Sequence, residues 1–383
     1  MMDSQNISAA QATALNFKYV PRPGLLKIAL INFFLTLITL TIYRFWAKTN
    51  TRKHVWSCIQ INGEPLEYTG TGGELFRGFP VVFGLIILPF SLLQKGFQLY
   101  LGDQHPAVIG LFFLFILFTY VMFGFALYKQ RKYQLSRTLW RGIRGTMAGS
   151  AMTYSLTYFG SLLARYFSFG WATPAMNTTL QEQMIGDMRF GDAAFKFKGR
   201  AGQLYPTYAL CWFLTLIALI AAVSFASYEA VTWFGTELSN AYDSIFNRPD
   251  NTEPPRRTLE IIVFVTLIIV AALLTFLVIL PMLWAIYTAK EIRTFANYTR
   301  FDGAQFRLNA TAPSMIWLAI SNLLLFIFTL GIARPYVVQR SVRYVFDRLT
   351  LEGAIDIDRI QQSQAALPKR GEGLADAFEL GAW

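Results

Sequence analysis

Cysteine and histidine are scarce, with two of each in 383 residues. Cys58 lies in a polar stretch and Cys211 inside an apolar run, so no disulfide framework or metal knuckle follows. His54 and His105 are too few and too far apart for a zincin-type pair. The chain also lacks H-E-x-x-H, a nucleophile elbow and a phosphate-cradling G-x-x-x-x-G-K. Neither catalysis nor a cofactor nor a metal is expected from these residues. His54 reads as a polar residue facing lipid headgroups, and His105 as part of a solvated turn. Charge is sparse as well, at 15% of residues against 54% hydrophobic.

What the chain does have is long apolar runs. They fall near 25–43, 78–93, 106–127, 153–171, 205–227, 260–287 and 314–333. About 20 helical residues cross the ~30 Å of hydrocarbon in a bilayer, so runs of this length read as membrane segments. The first 24 residues are polar and carry no basic region leading into a cleavable apolar core, so no signal peptide is expected. The formal charge of +11 gathers between the apolar runs. Basic residues there meet anionic phospholipid headgroups on the cytoplasmic face, and this makes the bilayer, not nucleic acid, the expected partner.

The first and seventh runs match each other. In INFFLTLITLTIYRFW (31–46) and SNLLLFIFTLGIARPY (321–336), Asn32, Thr39 and Arg44 fall in register with Asn322, Thr329 and Arg334. The fourth run, SLLARYFSFGWATP, aligns Gly170 and Pro174 with Gly331 and Pro335. A second pattern follows the membrane segments, a turn leading into an alternating strand. Gly63, Gly142, Asp192, Gly303 and Gly353 share one turn position, and Leu66/Tyr68, Phe195/Phe197 and Phe306/Leu308 follow at period two. Ten residues before that position stand Lys53, Lys132, Glu182, Arg293 and Arg343. Phe17 to Tyr19 looks like an orphan strand of the same kind. The fold expected is a mainly α-helical, polytopic membrane protein with internal repeats, whose short basic strands form a small cytoplasmic β-sheet, since isolated hairpins are marginal. The repeated domain covers 17–359, between a polar N-terminal tail, 1–16, and a flexible C-terminal tail, 360–383.

Charge also orients the segments. Seven ordinary spans would leave Arg189, Lys196, Lys198, Arg200, Lys290, Arg293, Arg300 and Arg307 outside, against the positive-inside bias. If the first, fourth and seventh segments instead dip in and return on one side, every basic element becomes cytoplasmic. Only Lys95, Arg248, Arg256 and Arg257 then face outward, with loop 228–258 external. The second topology is the expectation, although about 19 helical residues also suit a plain span.

The run ending T-L-T-I-Y-R-F-W-A-K (39–48), the R-K at Arg52 and Lys53, N-G-x-x-L-x-Y-x-G, W-R-G-I-R (140–144), R-F-G-D-x-x-F-x-F-x-G (189–199) and T-L-G-I-A-R-P (329–335) together resemble the YjgN-like bacterial inner-membrane family. That family is a domain of unknown function, and the resemblance covers roughly 17–359. It implies a multi-pass protein of the bacterial inner membrane and carries over no reaction, substrate or site residue. Where similar proteins favour Gly and Pro before the tryptophan of the first unit, this chain has Thr41 and Phe45.

Two sets of residues are candidate sites. Arg165, inside an apolar run, either snorkels to the surface or faces a polar path. Asn32 and Asn322 either bond neighbouring helices or line such a path. Lys53, Lys132, Arg293 and Arg343 form a cation row that is either a plain positive flank or a contact for an anionic headgroup or ligand. Tryptophans 46, 56, 140 and 171 border apolar runs as belt anchors. The functional expectation is a membrane protein that binds or transports a small solute or lipid, and the alternative is a membrane-organising or partner-binding scaffold.

Overall fold

The computed structural model describes residues 15–363 apart from 83, 85–87, 247–265, 268, 271, 274 and 354. Two compact units emerge: Met1–Gln203 with Ile292–Ala310 and Leu324–Trp383, and Leu204–Glu291 with Thr311–Leu323.

The first unit is organised by antiparallel strands. These are β1 (Phe17–Tyr19), β2 (Ile59–Ile61), β3 (Glu64–Pro65), β4 (Glu67–Tyr68), β5 (Thr138–Trp140), β6 (Ile143–Met147), β7 (Met188–Phe190), β8 (Ala193–Phe197), β9 (Thr299–Phe301), β10 (Ala304–Leu308) and β11 (Leu349–Glu352). β1 to β3 form one sheet, and β4 to β11 form a second in chain order. Only Leu66 separates β3 from β4, and its N–H still donates to Ile59 O (2.9 Å), so the ladder is nearly continuous. This is larger than the small sheet expected from the sequence.

Two-residue turns close the hairpins. Asn62-Gly63, Arg141-Gly142 and Asp302-Gly303 all have positive φ at both positions, as type I′ turns require. Their flanking pairs are Ile61 with Glu64, Trp140 with Ile143, and Phe301 with Ala304. At the opposite end of each strand the chain departs into helices, and there the departing residue pairs with the returning one. The pairs are Tyr19 with Ile59, Tyr68 with Thr138, Met147 with Met188, Phe197 with Thr299, and Leu308 with Leu349. The sheet is thus a meander with turns at one end and five helical excursions leaving and rejoining at the other.

Alternation decides what the sheet buries. Trp140, Phe301 and Leu351 point to a shared core with Ile355, Ile357 and Ile360, and Phe17, Phe190, Phe195 and Phe306 pack against it. The sheet curls far enough to bring the Phe17 ring of β1 within 6.1 Å of Phe306 on β10. Such curling follows from strand twist and lets many strands bury one face on itself. Each fully buried Phe or Ile contributes roughly 1.5–3 kcal/mol, so this apolar interior is the main stabilising mass of the sheet. Packing continues to the start of the expected C-terminal tail: Ile360 is buried and the Gln361 N–H donates to Asp192 Oδ1. Residues 364–383 and 1–14 of the two expected tails lie outside the described residues.

The helices are α1 (Leu25–Ile38), α2 (Arg44–Ser57), α3 (Gly72–Val82), α4 (Leu88–Leu101), α5 (Pro106–Ser136), α6 (Ala151–Phe167), α7 (Thr173–Gly186), α8 (Tyr205–Phe246), α9 (Leu280–Tyr298), α10 (Ala312–Phe328) and α11 (Arg334–Phe346). Among the described residues, three helical stretches are long and apolar enough to cross a membrane: Pro106–Ser136, Tyr205–Phe225 and Thr275–Tyr298. In the second unit α8 extends unbroken to Phe246, so the first part of the segment expected as loop 228–258 is helical and 247–258 lies outside the described residues. The run 78–93 divides between α3 and α4, and the start of the run 260–287 falls outside the described residues.

The first, fourth and seventh apolar runs do not continue as single long helices. α1 has 14 residues, and α6 and α10 have 17 each. At ~1.5 Å per residue these are about 21 and 25 Å long, short of ~30 Å of hydrocarbon. Each gives way to a five-residue turn and a second helix, α2, α7 or α11. The three turns share one hydrogen-bond scheme. Thr39, Ser168 and Thr329 N–H donate to Leu35, Ala164 and Leu325 O, and Thr41, Gly170 and Gly331 N–H donate to Thr36, Arg165 and Phe326 O. The hydroxyls of Thr39, Ser168 and Thr329 accept from the N–H groups of Tyr43, Ala172 and Ala333.

Each turn holds two residues at positive φ: Leu40 and Thr41, Phe169 and Gly170, Leu330 and Gly331. Thr41, at φ 72°, is β-branched in a region where only glycine is relaxed. We expect Thr41→Gly to stabilise the protein by about 1 kcal/mol, read as a raised melting midpoint in mild detergent. Gly331→Thr should lower the midpoint by a similar amount, because a Cβ there meets only ordinary contacts with Phe326 at 3.5–3.6 Å and the cost is backbone strain.

Candidate functional site

Asn32 and Arg165 belong to the first unit and Asn322 to the second. Asn32 is buried on α1, where its Nδ2 donates to Ala47 O (3.1 Å) and Thr51 Oγ1 (3.4 Å) of α2. Its Oδ1 accepts from Asn50 Nδ2 (3.5 Å), which also donates to the Tyr43 hydroxyl (3.2 Å). The amide therefore locks the two arms of one helical hairpin. Arg165 stands exposed on the last turn of α6, beside the α6–α7 turn. Asn322 is half-buried on α10 and belongs to the second unit. Neither unit gathers these groups into a polar path.

The cation row keeps a common position. Lys53, Lys132, Arg293 and Arg343 lie three to five residues before the C-terminal ends of α2, α5, α9 and α11, where those helices rejoin the sheet. Helix rise and fixed turn spacing produce this, since each helix runs directly into the first strand of its hairpin. Lys53 and Arg343 are exposed, and Lys132 and Arg293 half-buried. Arg343 Nε pairs with Asp347 at 3.0 Å. Val55 of α2 and Val338 of α11 share a core with Tyr19, Cys58 and Ile59, so Lys53 and Arg343 ride on neighbouring helices.

Arg52, next to Lys53, points the other way. It is 1% exposed, with Nη1 donating to the Tyr68 hydroxyl at 3.2 Å and its guanidinium 5.8 Å from that ring. Sequence reasoning did not single it out, because adjacent cations on a helix differ only in rotational phase, about 100° apart. A second cluster was also missed. Glu74 at the start of α3 accepts from Arg137 Nη2 (2.8 Å) and from the Tyr133 hydroxyl, which ties α3 to the end of α5. Trp56 Nε1 donates to Thr138 Oγ1 (2.9 Å), fastening α2 to β5. These contacts stiffen the rim where helices meet strands.

The far ends of the hairpins have a different character. Leu40, Phe169 and Leu330 occupy the same place in their turns and are 84%, 84% and 86% exposed. Three large apolar side chains held outward at positive φ form surfaces suited to an apolar medium. At the opposite end of the sheet, Arg141 makes a two-point contact with Glu64 (2.6 and 3.1 Å). Those hydrogen bonds hold the Glu64 carboxyl below the usual carboxylate range. Among the described residues no group of three or more His, Cys, Asp and Glu is placed to hold a metal ion.

A family profile described as a bacterial protein of unknown function (DUF898) matches residues 22–377. The inner membrane protein YjgN of Salmonella typhimurium is 34% identical over 116 residues, 30% of this chain and 27% of that protein. The aligned stretch thus spans about a quarter of the relative's length. No solved structure matches.

We expect Asn32→Leu to destabilise the protein by about 1–3 kcal/mol, because Thr51, Asn50 and the Ala47 carbonyl lose a partner in a buried setting. Arg165→Leu should leave the melting midpoint nearly unchanged. Equal midpoints for Asn32→Leu and the parent would contradict the locking role.

Proposed function

Because the chain belongs to the DUF898 family of bacterial proteins of unknown function, we propose that it is a polytopic inner-membrane protein of internal repeats that binds anionic phospholipid from the cytoplasmic side. The observation that carries this reading is the pairing of departing and returning strands at one end of the sheet. A chain that leaves and rejoins the same rim five times crosses the bilayer an even number of times in each excursion. Three excursions are short helical pairs with apolar tips, suited to dip into one leaflet and return. The other two contain the helices long enough to span. The relative's name, an inner membrane protein, agrees with that setting.

On this topology the rim lies at headgroup depth. Lys53, Lys132, Arg293 and Arg343 stand there, and a cation near an anionic surface contributes about 1 kcal/mol. The lipid-binding part of the functional expectation is therefore supported. A solute path is not, because Asn32 is committed to holding α1 against α2.

A second reading, a scaffold for an acidic partner, is favoured by one feature of the sheet's outer face. Lys196 stands directly opposite Arg300 in the β8–β9 ladder, and both are exposed. Like charges in that relation destabilise a sheet unless an anion lies over them.

Two measurements test the proposal. Single cysteines at exposed Arg141 and Asp192, with Cys58 and Cys211 replaced, should be shielded from an impermeant maleimide in spheroplasts and labelled after lysis. Labelling of either in intact spheroplasts would overturn the shared-side topology. Native mass spectrometry should find phosphatidylglycerol retained over phosphatidylethanolamine, with that preference falling severalfold when Lys53, Lys132, Arg293 and Arg343 are all changed to Gln. An unchanged preference would remove the cation row from lipid binding, and loss of an acidic partner on reversal of Lys196 and Arg300 would favour the scaffold.

A further inference from the structure

Alternation places a run of cations on the outer face of the second sheet. Arg189 lies opposite Thr146 and Ala194, Lys196 opposite Arg300, and Arg300 opposite Gln305. Arg144 stands two residues before Thr146, Lys196 two after Ala194 and Arg307 two after Gln305, so all five cations share the face turned away from the core. They form a diagonal stripe across β6 to β10, which starts near the hairpin turns at Arg144 and climbs toward the rim at Arg307. Directly opposite positions have Cβ atoms about 5 Å apart and diagonal ones about 7–8 Å, so the charges lie within reach of one another. Arg307 is answered by Glu352 at 2.5 Å. Arg189, Lys196 and Arg300 are exposed and make no ion pair among the described residues. Neighbouring like charges of this kind cost stability and favour an anion over them.

Ser363, the last described residue, lies at the foot of that stripe. Beyond the buried Ile360, the Gln361 N–H donates to Asp192 Oδ1 (3.0 Å) and Gln362 Nε2 donates to Gly142 O (2.8 Å), so the chain crosses two hairpin turns. Arg144 Nη2 then donates to Ser363 O (3.2 Å), which brings the chain from the core side round to the outer face. The residues that follow change sign. After Lys369 and Arg370 come Glu372, Asp376 and Glu379, with no Lys or Arg in 371–383. Their spacing, i, i+4 and i+7, is that of one helical face, and Leu374 and Phe378 fall on the opposite one. The nine residues from Ser363 to Glu372 reach at most ~30 Å, and the three strand spacings from β6 to β9 are about 14 Å, so the acids reach Arg189, Lys196 and Arg300 with slack.

We propose that segment 372–379 of this chain docks on its own sheet, with Glu372, Asp376 and Glu379 over Arg189, Lys196 and Arg300. A tethered segment competes at an effective concentration in the millimolar range, so ion pairs too weak to hold a free peptide can hold this one. Docking neutralises the stripe and covers the face that an acidic partner would use, and such a partner must displace the segment to reach it. The inference rests on neither the lipid-binding reading nor the shared-side topology.

The test uses the full chain in phosphatidylcholine nanodiscs, with Cys58 and Cys211 replaced, Ala194→Cys opposite Arg189 and Ala375→Cys beside Asp376. Oxidation should form an intramolecular disulfide. Its rate should fall about tenfold when Glu372, Asp376 and Glu379 are all changed to Lys, or when salt is raised to about 0.5 M, because three exposed ion pairs are lost or screened. Adding Arg189→Glu, Lys196→Glu and Arg300→Glu to the reversed segment should restore the parent rate. The reversed segment alone leaves the sheet unaltered, so its result stands even if the charge-swapped sheet fails to fold. An equal rate in the parent and the reversed segment would show tethering without docking and overturn the proposal. A disulfide found only between two copies would overturn it as well, and so would a parent rate that drops to that of the reversed segment in phosphatidylglycerol nanodiscs, which would give the stripe to lipid. An equal rate leaves the scaffold reading standing, since an acidic partner needs the stripe alone.

Discussion

The ladder between a strand that leaves the sheet and the strand that returns is the constraint on which the rest depends. Antiparallel neighbours exchange backbone hydrogen bonds residue by residue, so pairing Phe197 with Thr299 fixes both ends of the intervening excursion at one point. The 101 residues between them have no freedom to finish elsewhere. The same holds for the much shorter excursion between Met147 and Met188. Helix length, hydrophobicity and tip chemistry vary from one excursion to the next, while the rim that anchors them does not.

That rim explains the distribution of polar groups. Backbone at the helix–strand junctions is crowded with cross-links, from Arg52 to Tyr68, from Trp56 to Thr138 and from Arg137 to Glu74. Away from it, along the hairpins toward their tips, side-chain bonds become local, as with the hydroxyls of Thr39 and Thr329, each of which donates to a carbonyl four residues back. A polar cluster near the sheet and an increasingly apolar exterior toward the tips are what a protein needs when one end meets water and headgroups and the other meets hydrocarbon. In the three helical pairs the first arm, α1, α6 or α10, is about 21–25 Å long, shorter than ~30 Å of hydrocarbon.

Much of the sheet was legible in the residues. The shared turn position of Gly63, Gly142, Asp192 and Gly303 falls in two-residue hairpins, and the first member of each period-two pair, Leu66, Phe195 and Phe306, packs on one core, while Tyr68 and Phe197 pack on Trp56 and Phe295 near the helices. The strand Phe17 to Tyr19 was also readable, though its partner was not, because pairing over forty residues leaves no local mark. Hydropathy misled on the helices. It reports that 25–43 is apolar, but the break after Ile38 comes from the hydroxyl of Thr39 and a left-handed pair, Leu40 and Thr41, where no glycine announces a turn. Spacing could place Arg52 and Lys53 side by side without saying which one would be buried. Trp140 read as a belt anchor, whereas its alternation with Arg141 sends the ring into the core.

The pairing of departure with return has a consequence for how such a chain can change over time. Met147 and Met188 already lie side by side, so the helices between them could be exchanged for others, or shortened to a tight loop, without shifting a single rung of the neighbouring ladder. Growth is equally simple, since another hairpin with its own helices can be added wherever two strands meet. Under this architecture the membrane-facing parts are free to diversify while the sheet keeps count.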